Sequence, residues 1–138
     1  MADLPDVLLL VGRLVYGLYF FMSGAMHFVK VKDMAGYAAS KKVPLPKLAV
    51  GATGLLILVG GALVALGFYP HVGLLLIGIF LLGVTPVMHS FWLDKDAMQK
   101  MGNLVNFQKN WALFGAGLVM LALPEPWPLG LGGNLGWP

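Results

Sequence analysis

The sequence contains no cysteine and few charged side chains. Without cysteine there is no disulfide scaffold, no CxxC redox pair, no thiolate metal site and no covalent thiol chemistry. Asp, Glu, Lys and Arg make up only 11% of the 138 residues, whereas soluble domains average about 25%. Hydrophobic residues make up 59%. This composition is typical of an integral membrane protein.

The charges that are present favour the cationic side, with nine Lys and Arg against six Asp and Glu. So apolar a chain has little polar surface on which to build a nucleic-acid site. We therefore interpret the cations as markers of membrane topology. The N-terminus, "MADLPDVLLL", is acidic where a signal peptide is basic. We expect the first apolar segment to be retained as a helix.

Long apolar stretches define the architecture, because a helix needs about 20 mostly apolar residues to cross a bilayer. Four stretches predict such helices: residues 7–29, 48–69, 72–93 and 104–123. The fourth is apolar without a break only over 111–123, so its helix has to include the polar residues that precede it. We predict an all-α integral membrane four-helix bundle within residues 1–123. A Pro/Gly-rich irregular tail, 124–138, follows.

The lysines are distributed asymmetrically between the two sides of this bundle. Two loops on one side contain seven of them: Lys30, Lys32, Lys41, Lys42, Lys47, Lys95 and Lys100. The termini and the 69–71 turn contain none. The positive-inside rule then places the lysine loops in the cytoplasm and both termini outside. We expect a multi-pass protein of a prokaryotic cytoplasmic (inner) membrane.

Polar side chains from three spans reach one membrane level near the lysine loops. They are His27, His89, Trp92, Asn106, Lys109 and Asn110. Because a polar side chain that faces lipid is costly, we expect this set to turn inward and form one pocket. Other interpretations stay open: Lys109 reaching the lipid headgroups, the asparagines joining helices, and the histidines bonding at the interface. Two histidines lack a third ligand, so no metal is expected.

Arg13 lies toward the outer side of the first span, with no carboxylate inside any span to pair with. It either extends to the outer headgroups or binds carbonyls or an anionic group within the bundle. We keep it as a candidate ligand-binding residue. His71, in the short turn between the second and third spans, is interpreted as an ordinary turn residue.

Several segments resemble, in order, the DoxX family of small four-helix membrane proteins, from about residue 8 to residue 122. They are "GRLVYGLYFFMSGAMHF" (12–28), "MAGYAASKKVPLP" (34–46), "TGLLILVGGALVALGFYP" (53–70), "HSFW" (89–92) and "NLVNFQKNWALFGAGLVML" (103–121). The resemblance implies a link to quinone chemistry, since the family includes subunits associated with archaeal terminal quinol oxidase and thiosulfate:quinone oxidoreductase. Other members are linked to redox and thiol homeostasis. DoxX-like proteins often carry a Glu just before the Gly-Gly of span two, where this chain reads "LLILVGG".

We therefore expect an accessory subunit of a quinone-linked membrane oxidoreductase, surrounded by lipid and assembled in a larger redox complex or a homo-oligomer. Hydrogen-bond donors from His27, His89, Lys109 and Asn110 are expected to hold a quinone headgroup. No covalent cofactor is expected, no catalytic residue is assigned, and catalysis by this chain alone is not expected. Two alternatives stay open: a structural or assembly protein without a ligand, and a small-solute transporter acting as an oligomer.

Overall fold

The computed structural model of the protein describes residues 2–136, and all of its regular structure is helical. The helices are α1 (Leu4–Val29), α2 (Val31–Ser40), α3 (Pro46–Leu66), α4 (Pro70–Met88), a 3-10 helix (Phe91–Leu93) and α5 (Ala97–Leu121). The predicted all-α membrane fold is confirmed. The short helix α2, within the first lysine loop, was not predicted, because the analysis of spans does not detect a ten-residue amphipathic helix.

Three segments are long and apolar enough to cross a membrane: Leu4–Val29, Pro46–Leu66 and Pro70–Leu93. The fourth long helix, α5, has 25 residues, about 37 Å at 1.5 Å per residue. It falls short in apolar character because its first half carries the polar run that the sequence shows. α5 packs along α4 and completes the bundle.

Local side chains fix where the outermost helices begin. Asp3 accepts a hydrogen bond from the backbone N–H of Asp6 at 3.0 Å, and Asp6 accepts one from the backbone of Asp3, which forms a capping box. At α5, Asp96 accepts from the backbone N–H of Gln99 at 2.8 Å. These caps satisfy N–H groups that have no partner within the helix.

The closest packing in the bundle joins α1 to α3 through glycines seven residues apart on each helix. Gly17 lies against Gly61 and Gly24 against Gly54, so the two helices run antiparallel. A Cβ added at Gly17 would lie 2.5 Å from the backbone nitrogen of Ala65, and one at Gly24 would lie 2.6 Å from that of Leu58. Backbones this close leave no space for a side chain, as expected for small residues between membrane helices.

The remaining helices form an open row rather than a closed ring. α3 packs on α4, where Gly60 faces Gly73, and α4 packs on α5. α1 and α5 share no extended contact; the hydroxyl of Tyr16 donates across to the carbonyl of Leu113 at 2.9 Å. A cleft therefore runs between α1 and α5, with α3 and α4 behind it.

Arg13 is only 1% exposed and lies against the C-terminal tail. Its Nη1 donates to the carbonyl of Pro128 at 3.1 Å, and its Nη2 donates to the carbonyl of Leu129. Of the two alternatives for this residue, the structure adopts carbonyl binding within the protein rather than extension to the headgroups. Gly67 makes space for the guanidinium, and its φ of +60° ends α3.

The tail has no helix or strand in the part that the structure describes, but it packs closely over the end of the bundle opposite the lysine loops; Trp137 and Pro138 lie outside the described residues. Leu131 donates its backbone N–H to the carbonyl of Leu66 at 3.0 Å, and Trp127 is buried. Low sequence regularity here does not mean loose structure. The tail closes one end of the bundle.

The interpretation of His71 as an ordinary turn residue is wrong. The ring is buried, its Nε2 lies 2.9 Å from the carbonyl of Leu123, and its Nδ1 lies 3.5 Å from a carboxylate oxygen of Glu125. Glu125 also accepts the backbone N–H groups of His71, at 2.8 Å, and Leu135, at 3.1 Å. The sequence did not reveal this pairing because Glu125 lies 54 residues away, in the tail.

The Arg13 contact predicts coupling between α1 and the tail. Arg13→Met keeps an unbranched side chain but leaves two buried carbonyls without donors, so the free energy of unfolding should fall by about 1–3 kcal/mol. Removing residues 124–138 deletes those carbonyls, so Arg13→Met should cost much less in the truncated protein. Thermal unfolding of the four proteins in one detergent measures the coupling. An equal loss in both backgrounds contradicts it.

Candidate functional site

A cavity of about 660 Å³ lies among α1, α2, α3, α4 and α5, in the half of the bundle that carries the lysine loops. Four of the seven predicted site residues line it: His27, His89, Lys109 and Asn110. Most of the remaining wall is apolar and includes Phe20, Leu56, Phe80 and Val84. The cavity thus combines a polar cluster with an apolar wall.

His27 is held in place on the α1 side of the cavity. Its Cβ packs against Gly54 so closely that a Cβ added to that glycine would lie 2.6 Å from it. Its ring and that of Phe80 form a T-shaped pair with centroids 6.0 Å apart. The Nδ1 atom lies 2.8 Å from the carbonyl oxygen of Ser23. Since a carbonyl only accepts, Nδ1 carries the hydrogen of this bond.

His89 follows the last residue of α4 and belongs to a chain of hydrogen bonds that reaches the loops. Its Nδ1 lies 3.2 Å from Oδ1 of Asn103, and Nδ2 of Asn103 donates to Asp94 at 2.7 Å. The hydroxyl of Tyr37 lies 3.3 Å from the same Oδ1. Lys41 forms an ion pair with Asp94 at 3.3 Å.

The two imidazoles have the opposite hydrogen-bond polarity from the donors that the sequence led us to expect. In a neutral imidazole one nitrogen donates and the other accepts. In both His27 and His89 the hydrogen on Nδ1 is used inside the protein, so Nε2 is the acceptor. Within residues 2–136, neither Nε2 has a hydrogen-bond partner, and neither is among the fully enclosed unpaired atoms.

The two α5 residues that line the cavity differ in exposure and in how many of their hydrogen-bond donors remain unused. Asn110 is buried, and its Nδ2 donates to the hydroxyl of Thr85 at 3.1 Å. Lys109 is exposed; its Nζ donates to Oδ1 of Asn106 at 3.1 Å and lies 5.9 Å from the ring centre of Tyr19. Lys109 therefore stands at the edge of the α1–α5 cleft with hydrogens left for another acceptor.

Three predicted site residues do not line this cavity. Asn106 is half-buried beside it and holds Lys109. Trp92 is 51% exposed and packs on Phe91 and Phe107. Arg13 lies at the tail end of the bundle. Asn106 is thus connected to the cavity lining through Lys109. Trp92 lies on the surface, and Arg13 lies against the tail.

The residues that orient His89 were missing from the sequence-based set. Asn103 lies seven residues before Asn110, two turns along the same face of α5, and this spacing could have indicated its burial. Asn103 and Asn110 are the two buried residues of α5. Asp94 and Tyr37 gave no such signal, because they come from loops and from a helix that the spans do not include.

A second, smaller cavity of about 190 Å³ lies in the same cleft, on the side of Tyr16 nearer the tail. Its lining is almost entirely apolar and includes Leu74, Gly78, Phe114 and Leu121. Ile79 lines both cavities. The two spaces therefore share one lining side chain, and the smaller has far fewer polar groups.

No group of three His, Asp or Glu side chains in residues 2–136 is close enough to hold a metal ion. The two histidines at the cavity use their Nδ1 atoms for bonds within the protein, and the nearby Asp94 pairs with Lys41 and Asn103. The donor set fits hydrogen bonding to an organic ligand better than metal coordination.

Comparison with known families matches residues 8–90 to the DoxX family model. The chain belongs to the DoxX family. Among relatives, this DoxX protein is 30% identical to "Inner membrane protein YphA" of Escherichia coli (strain K12) over 126 residues, which cover 91% of this chain and 88% of that protein. No solved structure matches significantly. The family model ends before α5, so the match is shorter than the resemblance to residue 122 suggested, although the relative covers more of the chain.

The Asp94 network predicts a dependence of stability on pH. The hydrogen bond from Asn103 is the main cause that holds the pKa of Asp94 below its ordinary value of 3.8; partial removal from water opposes it, and Lys41 adds to it. The lowered pKa means that this stabilisation is complete above about pH 4 and is lost as the pH falls through the folded-state pKa. Thermal unfolding at successively lower pH should show this loss. Asp94→Asn should reduce it, and an unchanged acid profile contradicts the assignment.

Proposed function

We propose that this DoxX protein binds a quinone-type ligand in the larger cavity and serves as an accessory subunit of a membrane oxidoreductase. The observation that carries the proposal is the meeting of His27, His89, Lys109 and Asn110 at one cavity whose wall is mostly apolar. These residues come from α1, from the position that follows α4, and from α5. Inside a bilayer, polar groups gathered in this way mark functional sites by default.

The dimensions and chemistry of the cavity suit an aromatic headgroup with two ring oxygens. Ligand sites of about 300–1,000 Å³ with an apolar wall and a few polar groups are typical for small molecules. Lys109 has hydrogens left for a ring oxygen, and the two imidazoles present their Nε2 atoms. Phe20 and Phe80 supply apolar surface for the ring.

The open cleft gives such a ligand a route for its hydrocarbon tail. α1 and α5 do not close on each other, and the apolar 190 Å³ cavity adjoins the larger one at Ile79. A headgroup in the larger cavity would have its tail directed along the cleft, past Tyr16. A lipid-soluble ligand could therefore enter sideways from the bilayer.

We propose an accessory rather than a self-sufficient role. The sequence has no cysteine and no flavin or nucleotide fingerprint, and span two lacks the intramembrane acid often found in DoxX-like proteins. Electron transfer to or from the ligand would then require a partner subunit that carries a redox group. We further propose that the lysine loops face the cytoplasm, which puts the cavity in the inner half of the membrane.

A structural role without a ligand is the second candidate, and α5 supplies the observation that favours it. The two buried residues of this helix are Asn103 and Asn110, and both use their amides to bond other parts of the bundle. Buried amides in membrane helices often have no role beyond joining one helix to another. A well-folded protein that binds no quinone or quinol would leave this second role standing.

Filling the smaller cavity tests the route of the tail. Gly78 lines that cavity, and a Cβ there would meet Cε2 of Phe114 at an ordinary 3.7 Å. Gly78→Leu should weaken binding of a decyl-tailed benzoquinone at least about tenfold, because each buried CH₂ is worth about 0.8 kcal/mol. Binding of a methyl-substituted benzoquinone should change little. Titration of the purified protein in nanodiscs measures both.

Gly115→Leu is the matched control, because Gly115 is also a helical glycine, has open space around it and lines neither cavity. This variant should bind both ligands as the wild type does. Equal losses in the two leucine variants, or no loss in either, would contradict the tail route.

The accessory role predicts a stable partner in the native membrane. Purification of the tagged chain in a mild detergent should recover a subunit with haem or flavin absorbance, together with quinone-linked redox activity. A denaturing detergent should separate the two and serves as the control. Recovery of the chain alone, or with subunits that carry no redox group, would contradict this role while leaving ligand binding open to the titration above.

A further inference from the structure

We infer that the larger cavity selects the hydroxyl-bearing quinol form of its ligand over the dicarbonyl quinone form. This inference rests on the proposed function and adds the hydrogen-bond polarity of the site. The polarity follows from a chain of contacts that begins outside the helices, at Asp94, and ends at the cavity, at His89. A separate contact fixes His27 in the same way.

The first step is the carboxylate of Asp94, which can only accept hydrogen bonds when ionised. It pairs with Lys41 at 3.3 Å and accepts from Asn103 at 2.7 Å. Gln99 donates to it as well, from its side-chain amide at 3.1 Å. Three donors around one carboxyl group keep it ionised and fix its role as an acceptor.

The second step is the orientation of the Asn103 amide. An Asn side chain has one donor end and one acceptor end, and the network around it decides which way it points. The carboxylate of Asp94 takes the Nδ2 end, so Oδ1 faces His89. Because Oδ1 only accepts, Nδ1 of His89 has to donate, and Nε2 of the neutral ring becomes an acceptor.

The third step is His27, whose tautomer is fixed by a backbone carbonyl instead of an amide side chain. Its Nδ1 lies 2.8 Å from the carbonyl of Ser23, one turn earlier on α1. A backbone carbonyl cannot donate, so the neutral ring again carries its hydrogen on Nδ1. Both imidazoles line the one cavity, and each keeps its Nε2 as an acceptor.

The polarity of the ligand follows from these two acceptors. A quinol has two ring hydroxyls, and each can donate to an Nε2 atom. A quinone has two carbonyls, whose lone pairs would face the lone pairs of the imidazoles. Among the four predicted site residues at the cavity, Asn110 already uses its amide donor on Thr85, which leaves Lys109 to donate to a carbonyl. The two imidazoles therefore favour the quinol, whereas a quinone has to take its hydrogen bonds from Lys109 or from the other donors of the wall, Tyr19, Ser23 and Lys30.

Ligand pairs test the inference directly. A decyl-tailed benzoquinol, its quinone and its dimethyl ether are titrated under anaerobic conditions into the wild-type protein in nanodiscs at neutral pH. The quinol should bind about tenfold more tightly than the quinone, because only the quinol can donate hydrogen bonds to the two Nε2 atoms. The dimethyl ether, which has lost its donors, should bind no better than the quinone.

The outcomes separate this inference from the proposed function. Quinone binding as tight as or tighter than quinol binding overturns the polarity and leaves the quinone-type site in place. Binding of neither form overturns both. A quinol and a dimethyl ether that bind equally also overturn the polarity, because hydrophobic contact alone then explains the affinity.

The tautomers supply a readout that does not depend on affinity. The protein has three histidines, and ¹⁵N-labelled imidazole spectra should show hydrogen on Nδ1 in His27 and His89. His71 is the internal control, because its Nε2 donates to the carbonyl of Leu123 and should carry the hydrogen. A neutral His27 or His89 with hydrogen on Nε2 contradicts the inference.

Asn103 is a positioning residue in this scheme, and Asn103→Leu tests that role. The substitution should release the tautomer of His89, leave that of His27 unchanged, and reduce the preference for quinol to about threefold, about half of the original free-energy difference. An unchanged His89 tautomer in a folded Asn103→Leu protein contradicts the positioning role. If this variant does not fold, the wild-type titration and spectra decide the inference.

Discussion

The contact between the glycines of α1 and α3 determines how the rest of the bundle can be arranged. Gly17 and Gly24 bring the backbone of α1 against α3, and α1 makes no extended contact with α5. The same contact seats His27 against Gly54 and so fixes one side of the cavity. Close packing on α3 therefore holds α1 in place along one side of the open cleft.

Polar groups inside the bundle follow one rule, which is that a bilayer offers no water to satisfy them. Arg13 takes its acceptors from the tail, and Asn110 takes one from Thr85. At the tail end of the bundle the polar groups are enclosed, because the tail covers them. At the lysine-loop end they are not fully enclosed, and that difference separates a structural cluster from a candidate site.

The sequence was sufficient to predict the four long helices and part of the candidate site. Hydropathy locates the long spans because lipid requires long apolar segments. Membrane depth then brought His27, His89, Lys109 and Asn110 to one level. Depth cannot reveal lateral position, however, so it gave no means of separating Trp92 from the cavity. Arg13 already lay at a different depth, toward the other end of the first span. The pairing of His71 with Glu125 depends on how the tail folds back, which no periodicity records.

Knowing that a residue is histidine does not tell whether it offers the ligand a donor or an acceptor. In a neutral imidazole, the nitrogen that faces the ligand accepts if the other nitrogen carries the hydrogen. For His89 that choice depends on Asn103, and for Asn103 it depends on Asp94, in a loop that ordinary span analysis treats as a connection. Lys41, which the topology rule counts only as a positive charge, holds Asp94 in place. One loop ion pair therefore contributes both to the membrane orientation that we propose and to the chemistry of the cavity. A substitution in these loops should be interpreted with both roles in mind, because a change in ligand preference can arise from residues that never touch the ligand.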